Sequence, residues 1–300
     1  MEGVKKIVES QTQLIEWRQI NLQYKKIVEF PRPFIKWVGG KRQLIPQLSQ
    51  HFPKTFSTYI EPFVGGGAVF FYLLPQYSLL IDNNPELINT YQVIKHKVEE
   101  LIESLRQHKN EKEYFYKIRG IDRDPIQFRN LDKVERASRT IFLNKTCYNG
   151  LYRVNKKNQF NTPFGRYASP KICDELNLRA VSAALRNAKI HLGDFAESVS
   201  SARSGDFIYM DCPYHPVSET ANFTSYTMED FGISEQKQLN RVFSQLDSKG
   251  CHVLLSNSHT PFILELYKEY SIYIVHATRA INCDPSKRGK ILEVLISNKS

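Results

Sequence analysis

The feature that most constrains the fold is a short strand-like run that passes through a glycine turn into an apolar helical run, followed by a second strand that ends in an acid. These segments are "TYIEPFVGGGAVFFYLL" and "SLLIDNN". Together they form the opening of a βαβ unit. The alternation returns late in the chain with "KIHLGDF", "DFIYMD" and "CHVLLSN", and closes with the strand pair "SIYIVHA" and "KILEVLIS". We therefore predict an open α/β sheet.

Strand signals are sparse between these two parts of the sheet, over roughly residues 92 to 180. A helix is predicted to begin at Pro85, after the capping residue Asn84, and to run through "ELINTYQVIKHKVEELIESLRQHK" into this region. Further helices include "DKVERASRTIFLNK", while "NGLYRVNKKNQFNTPFG" is typical of a turn and hairpin. We interpret the region as a mostly helical insertion into the sheet.

The chain is basic, with 41 Lys and Arg against 31 Asp and Glu and a net charge of +10. The excess is concentrated in the insertion, where residues 136–171 contain eight Lys or Arg and no Asp or Glu. Aromatic residues and asparagines are interleaved with these charges. Such a segment is typical of a nucleic-acid-binding surface, and a solvated basic face is the alternative.

The glycine turn indicates a bound cofactor. Glycines from Gly65 to Gly67 let the backbone approach a ligand closely, and Asp82 at the end of the next strand can accept hydrogen bonds from both hydroxyls of a ribose. The pattern departs from GxGxxG and lacks the GK[ST] of a phosphate loop, which favours an adenosine ligand without a pyrophosphate, namely S-adenosylmethionine. A second glycine turn, "FIKWVGGKRQL", places Trp37 and Lys41 where they could close over the same pocket. A plain turn with a packed tryptophan is the alternative.

The stretch "DFIYMDCPY" indicates the reaction. Asp211 stands at the carboxyl end of a predicted strand, where open α/β sheets keep their reacting groups. Its carboxylate and the backbone carbonyl of Cys212 could accept the two N–H groups of an exocyclic amine, while Pro213 stiffens the turn. Tyr214 would stack on the base and favour the developing positive charge. Methyl transfer would then be direct, with no metal and no covalent enzyme intermediate, on a base flipped out of its duplex.

Composition excludes several other classes. The five cysteines are odd in number and form no CxxC pair, which weakens both the disulfide and the structural zinc interpretations. The first residues lack the apolar core of a signal peptide, and the most apolar stretch is broken by Pro75 well short of a membrane span. We expect a cytoplasmic protein without a metal or a membrane partner, acting as a monomer.

Taken together, these motifs resemble those of the Dam-type, alpha-group DNA adenine-N6 methyltransferases, the D12 class. The matching stretches, in the order of that family, are "FIKWVGGK", "EPFVGGGAVFF", "DNNPELINTY", "CYNGLYRVN", "FNTPFGRY", "DCPY" and "TANFTSY". The resemblance implies a Rossmann-like methyltransferase domain over residues 34–91 and 181–300. It also implies a target-recognition domain over residues 92–180, double-stranded DNA as the partner and GATC as the usual target. Residues 1–33 form an N-terminal arm to which no chemistry is assigned.

The resemblance also implies residue roles. It places the cofactor on Trp37, Lys41 and Asp82, with Asp211 in the active site at the cofactor's edge. It makes Tyr148 a wedge beside the extruded base, and Arg153 a reader of guanine, which suits the fork of its guanidinium. Further DNA-contact positions are Asn149, Leu151, Pro163 and Arg166, with Pro163 suited to a thymine methyl. One departure is Cys212, which stands where the family usually has a proline; its role uses the carbonyl, so the change should affect rigidity more than chemistry.

Three alternatives compete with this interpretation. A cytosine-C5 methyltransferase needs a cysteine after a proline, whereas here Cys212 precedes Pro213. A methyltransferase acting on RNA or on a protein glutamine amide could share the acid-Pro-Tyr arrangement, but would not explain the basic insertion. A DNA-binding module without catalysis would be expected to lack Asp211 or the glycine turns, and both are present.

Overall fold

The computed structural model describes residues 30–216, 231–278 and 290–299. Most of the predicted N-terminal arm, the "TANFTSY" stretch and Cys283 lie outside these residues. The predicted hairpin is present, because Val154 and Phe160 form an antiparallel bridge closed by a turn in which Asn158 N–H donates to the carbonyl of Asn155.

The predicted α/β sheet is confirmed. Within the described part of the chain it has seven strands in the order β3-β2-β1-β4-β5-β7-β6. Strands β1 to β5 run parallel, and β7 lies antiparallel between β5 and β6. The strands are β1 (Tyr59–Glu61), β2 (Ser78–Asp82), β3 (Ala188–Leu192), β4 (Phe207–Asp211), β5 (His252–Ser258), β6 (Ser271–Thr278) and β7 (Lys290–Ser297).

Helices pack on both faces of this sheet and make up most of the insertion. They are α1 (Ile45–Leu48), α2 (Ala68–Leu73), α3 (Pro85–His96), α4 (Val98–Arg106), α5 (Lys112–Gly120), α6 (Pro125–Asn130), α7 (Lys133–Thr146), α8 (Glu175–Ala184), α9 (Phe195–Ser198), α10 (Ile233–Ser248) and α11 (Pro261–Leu266). Helix α3 begins as predicted, because the Asn84 side chain accepts from the Leu87 N–H at 3.0 Å and Pro85 occupies the first turn. None of the helices in residues 30–216, 231–278 and 290–299 is both long and apolar enough to cross a membrane.

One predicted helix is divided in two. Lys97 leaves the helical conformation at φ −142° and ψ 40°, which separates α3 from α4. Its N–H still bonds to the Val93 carbonyl at 2.7 Å and its carbonyl accepts from Leu101 at 3.0 Å, so the break leaves both of these backbone groups bonded. The change of direction lets the apolar sides of both helices reach one core.

Strand residues alternate between two cores, one on each face of the sheet. On β4, Phe207 and Tyr209 belong to one core, while Ile208 and Met210 belong to the other. This is the period of two expected for a strand covered on both sides. The central strands are therefore buried on both faces, and their carboxyl ends emerge along one edge.

The insertion shares the larger of these cores. Leu101 of α4, Ile141 of α7 and Leu178 of α8 all pack into the core that contains Tyr209. A smaller cluster belongs to the insertion alone and includes Phe142. The predicted division at residues 92 and 180 stays a prediction, because the insertion rests on the sheet domain through continuous apolar packing.

Replacement of Gly67 by alanine should destabilise the protein. Gly67 has a φ of +68°, and a Cβ there would lie 2.6 Å from the Tyr91 hydroxyl oxygen. Backbone strain and this overlap should lower the free energy of unfolding by about 1–3 kcal/mol in urea denaturation. Gly120→Ala is the control, since a Cβ there meets nothing within 4 Å. A Gly67→Ala, Tyr91→Phe double variant should lose less than the sum of the single variants; strict additivity would contradict the overlap.

Candidate active site

Three acidic side chains end three neighbouring strands. Glu61 ends β1, Asp82 ends β2 and Asp211 ends β4, and β1 lies parallel between the other two. Because carboxyl ends of parallel strands meet at one edge, these carboxylates share one site. Burial raises the pKa of Glu61 well above its usual range, and Asp211 and Asp82 raise it further, while the 2.9 Å hydrogen bond from Tyr59 opposes the rise. Sequence reasoning identified Asp82 and Asp211 but missed Glu61, although it stands in the "EPFVGGG" motif.

Asp82 is held by the glycine turn and by the start of α3. Its Oδ2 accepts from the Gly65 N–H at 3.0 Å, and its Oδ1 accepts from the Asn84 N–H at 2.9 Å. Burial raises the pKa of the Asp82 carboxyl, and these backbone bonds oppose that rise. A carboxylate can accept about four hydrogen bonds. The Asn83 backbone also bonds to this carboxylate, so about one of its acceptor positions remains, and the predicted ribose contact stays a prediction.

Two protein side chains, those of Trp37 and Tyr91, pack closely against the glycine turn. A Cβ on Gly65, whose φ is +46°, would lie 2.7 Å from Cδ1 of Trp37. Tyr91 donates from its hydroxyl to the Gly65 carbonyl at 3.0 Å and blocks a Cβ on Gly67. In this structure the glycines thus make room for Trp37 and Tyr91; close approach of a cofactor to Gly65 and Gly67 stays a prediction.

Lys41 and Asp211 form a buried ion pair. The second glycine turn, with Gly39 at a φ of +79°, leads into a short 3-10 helix that begins at Lys41. The Lys41 Nζ lies 2.6 Å from Asp211 Oδ1, donates to the Gly39 carbonyl at 2.6 Å and sits 4.7 Å over the Tyr214 ring. Burial raises the pKa of Asp211, and Lys41 acts against that rise. The pair joins two predicted site residues that stand 170 positions apart in the sequence.

Tyr214 is held by a residue that sequence reasoning missed. Its hydroxyl donates to Glu293 Oε2 of β7 at 2.8 Å. Burial raises the pKa of the Tyr214 hydroxyl well above its usual range, and the charges of Asp211 and Glu293 add to this, so the hydroxyl stays protonated. Glu293 lies in the closing strand, and nothing in "KILEVLIS" marks it as part of a site.

Cys212 is an enclosed thiol beside a polar brace. Burial raises its pKa well above the usual range, which disfavours the thiolate that a nucleophile needs. Asn257 of β5 donates to the Cys212 sulfur at 3.4 Å and to Gln236 Oε1 at 3.0 Å, and it accepts from the His215 N–H at 3.1 Å. Gln236 in turn donates to the Pro213 carbonyl at 2.9 Å. The turn after β4 is therefore fixed from β5 and α10.

Among the described residues there is no disulfide and no arrangement of side chains suited to a metal ion. Within residues 30–216, 231–278 and 290–299 the cysteines are free thiols. No group of three or more His, Cys, Asp or Glu among those residues is arranged to hold a metal ion.

The predicted DNA-contact residues lie on two stretches that pair with each other. Cys147 and Phe164 form an antiparallel bridge, and the Tyr148 N–H donates to the Pro163 carbonyl at 2.8 Å. This pairing places Tyr148, with 55% of its surface exposed, beside the exposed Pro163. The pairing brings the predicted DNA-contact positions of the two stretches together, and we call these positions the reading surface after that prediction. Its predicted members are Tyr148, Asn149, Leu151, Arg153, Pro163 and Arg166.

Two arginines of the reading surface differ in how they are held. Arg153 donates from Nε to the Asn161 side chain at 2.7 Å, which orients its guanidinium. Arg166 is exposed and has a φ of +56°, an uncommon conformation for a side-chain-bearing residue. Asn149 shares this conformation at a φ of +57°. The positive φ values of Asn149 and Arg166 are strained, and they arise because both residues lie in tight turns.

Comparisons with known proteins identify the family to which the chain is similar. A family model described as D12 class N6 adenine-specific DNA methyltransferase matches residues 37–281. The chain is 48% identical over 271 residues to the Type II methyltransferase M1.LlaDCHI of Lactococcus lactis subsp. cremoris, covering 89% of this chain and 95% of that protein. It is 44% identical over 287 residues to the Type II methyltransferase M.MjaIII of Methanocaldococcus jannaschii, covering 89% and 99%. It is 34% identical over 269 residues to the DNA adenine methylase of Salmonella typhi, covering 88% and 94%.

Removal of either member of the Lys41–Asp211 pair should destabilise the protein. Asp211→Ala leaves a buried ammonium without its partner, and we expect a loss of about 1–3 kcal/mol in the free energy of unfolding at pH 7. The exposed pair Lys268–Glu265 is the control, and Glu265→Ala should change nothing measurable. A double-mutant cycle with Lys41→Met and Asp211→Ala should show favourable coupling, and a coupling near zero would contradict the pairing.

Proposed function

The chain belongs to the D12 class of N6 adenine-specific DNA methyltransferases, and we propose that it transfers a methyl group from S-adenosylmethionine to a flipped-out adenine within GATC. The observation that carries the proposal is the contact of Lys41 with both Asp211 and Tyr214. Asp211 ends β4, and Asp82 ends β2, which is separated from β4 by β1 alone. The predicted amine-holding and ribose-holding groups thus share one edge of one sheet.

The turn after β4 suits an aromatic amine. The N6 lone pair of adenine is delocalised into the ring, so the amine is a poor nucleophile. An acceptor at Asp211 and another at the Cys212 carbonyl would hold both N–H groups and free the lone pair for attack. Tyr214 would stack on the base, and its tether to Glu293 at 2.8 Å fixes the ring for that purpose.

The residues present fit an adenosyl cofactor. Asp82 would bind the ribose through the acceptor capacity that its backbone hydrogen bonds leave, and Trp37, Lys41, Gly65, Gly67 and Asp211 would complete the pocket. S-adenosylmethionine supplies an electrophilic methyl group when bound. Lys41 favours the ionised form of the Asp211 carboxyl, because its ammonium opposes the rise that burial imposes on the pKa. An ionised Asp211 would be the stronger acceptor for an N–H bond.

The reading surface suits a DNA target. Arg153 is oriented by Asn161 through its Nε edge, which leaves the other edge of the guanidinium to present two donors to guanine O6 and N7. Pro163 is exposed and would contact a thymine methyl. We infer GATC from these two residue types together with the family resemblance. Relatives at 48% and 44% identity are named Type II methyltransferases, which supports a role as the modification enzyme of a restriction–modification system.

Replacement of Asp211 should abolish methyl transfer. Asp211→Asn keeps the shape of the side chain but places an NH₂ donor against an N–H donor, so we expect loss of activity by at least about 10²-fold. Cofactor and duplex binding should persist, as measured by calorimetry and by filter binding. The matched control is Asp247→Asn, remote from this edge on α10. An Asp211→Asn enzyme that methylates at the normal rate would contradict the proposed mechanism.

Replacement of Arg153 should relax specificity. Arg153→Ala removes the guanine fork and should reduce discrimination at one base pair by about 1–3 kcal/mol, measured as kcat/KM on duplexes that differ at that position. Lys156→Ala is the control, because loss of an exposed lysine should weaken binding to all sequences alike. If the Arg153→Ala enzyme discriminates as the wild type does, Arg153 is not a base reader.

A further inference from the structure

We propose that Tyr152 couples the reading surface to the cofactor pocket, so that duplex binding and cofactor binding change each other's affinity through its ring. The proposal rests on the proposed function, because it needs both ligands to bind where that function places them. Tyr152 belongs to the insertion by sequence and is not among the residues predicted to contact either ligand.

The ring of Tyr152 lies against the cofactor side of the site. It stacks on Trp37 with a centroid separation of 5.0 Å and an angle of 27° between the planes. The Asn84 side chain opposes the rise that burial causes in the pKa of its hydroxyl, and Asn84 is the residue whose N–H binds Asp82. One side chain of the insertion therefore stacks on the indole and interacts with the residue that caps α3 and binds Asp82.

The chain on both sides of Tyr152 belongs to the reading surface. Leu151 has extended backbone at φ −82° and ψ 108°, and in extended backbone successive side chains point in opposite directions. Tyr152 thus projects away from Leu151, and its ring meets Trp37. Both neighbours are anchored to the paired stretch, since the Leu151 carbonyl accepts from Thr162 at 2.7 Å and Arg153 donates to Asn161. A displacement of this loop by DNA must move the Tyr152 ring.

A second connection makes the loop and Trp37 parts of one unit. Asn144 is buried on α7 and donates from Nδ2 to the carbonyls of Lys36 at 2.8 Å and Gly150 at 3.0 Å. Its Oδ1 accepts from the Lys36 N–H at 2.9 Å. The Asn144 amide therefore connects Lys36, the residue before Trp37, to Gly150, which lies in the loop that carries Leu151, Tyr152 and Arg153. Motion of the loop would be transmitted by the backbone as well as by the stacked rings.

Trp37 has little freedom to absorb such a motion. One part of the indole lies so close to Gly65 that a Cβ there would be 2.7 Å from Cδ1, while the other contact is the Tyr152 ring. The indole is thus enclosed between the glycine turn and the insertion. A shift of Tyr152 would change the pocket wall beside Asp82, and by thermodynamic linkage a ligand that orders this wall would favour the loop position that binds DNA.

A role for Tyr152 in packing alone makes a different prediction. The ring also contacts Phe160 edge-on at 5.6 Å, and burial raises the pKa of its hydroxyl to about 12. If Tyr152 only filled space, its removal would lower stability and weaken both ligands separately, but it would not alter the factor by which one ligand changes the affinity of the other. That factor is the measurement that separates the two roles.

The experiment measures this factor by calorimetry on the full chain. The probes are S-adenosylhomocysteine, which cannot react, and a duplex with one GATC site, each titrated alone and in the presence of the other. We expect the wild type to bind the cofactor product about fivefold or more tightly when the duplex is present. Tyr152→Ala should reduce this factor to less than twofold, whereas Tyr152→Phe, which keeps the ring, should retain most of it. Tyr77→Ala, an exposed tyrosine, is the control and should leave the factor unchanged.

Two outcomes would overturn the proposal: an undiminished factor in Tyr152→Ala, or no coupling in the wild type. If Tyr152→Ala does not fold, Tyr152→Leu replaces the ring by an aliphatic side chain and is subject to the same criterion. Methyl transfer by the wild type to adenine in GATC duplexes, non-GATC duplexes and RNA is measured in parallel. Failure there overturns the proposed function together with the coupling, whereas normal transfer with undiminished coupling in the variant overturns the coupling alone.

Discussion

The ion pair between Lys41 and Asp211 is the interaction on which the site depends. It joins the segment before the first strand to the end of the fourth, and its nitrogen also binds the Gly39 carbonyl and lies over the Tyr214 ring. Three parts of the active site are therefore oriented by a single ammonium. Without it, Asp211 would lose the cation that opposes the effect of burial on its carboxyl.

That concentration of acids has an energetic cost that the surroundings offset only in part. Glu61, Asp82 and Asp211 all have pKa values raised first by burial. Backbone N–H groups oppose the rise at Asp82, Tyr59 opposes it at Glu61 and Lys41 opposes it at Asp211. Each carboxyl thus has a different partner, so each can have a different task. A site built in this way gives up stability to keep acceptors in fixed positions for a ligand.

Much of this could be predicted from the sequence, because the informative signals are local. Asp82 and Asp211 follow apolar strand runs directly, and the Asn84 cap is read from two adjacent residues. Glu293, Asn257 and Asn144 could not be found in this way, because each becomes part of the site through strands or helices paired far along the chain. The glycines show a different limit: the turn predicts close approach of a ligand to Gly65, and nothing in the sequence indicates that Trp37 also lies where a Cβ on Gly65 would stand. A glycine in the sequence indicates space beside the backbone, but the packed structure is needed to show which group lies there.

Cys212 shows how this chain maintains a stiff turn with one proline fewer than its family usually has. A proline restricts backbone freedom before folding, whereas a cysteine at the same place leaves the turn to be fixed by contacts. Here Asn257 binds the Cys212 sulfur and the His215 N–H, and Gln236 binds the Pro213 carbonyl. The bonds reach the turn from two elements and on both sides of Pro213. Rigidity that a covalent ring would supply locally is supplied instead by a buried amide network, and the thiol takes part as a weak acceptor from Asn257 and a weak donor to the Ser256 carbonyl.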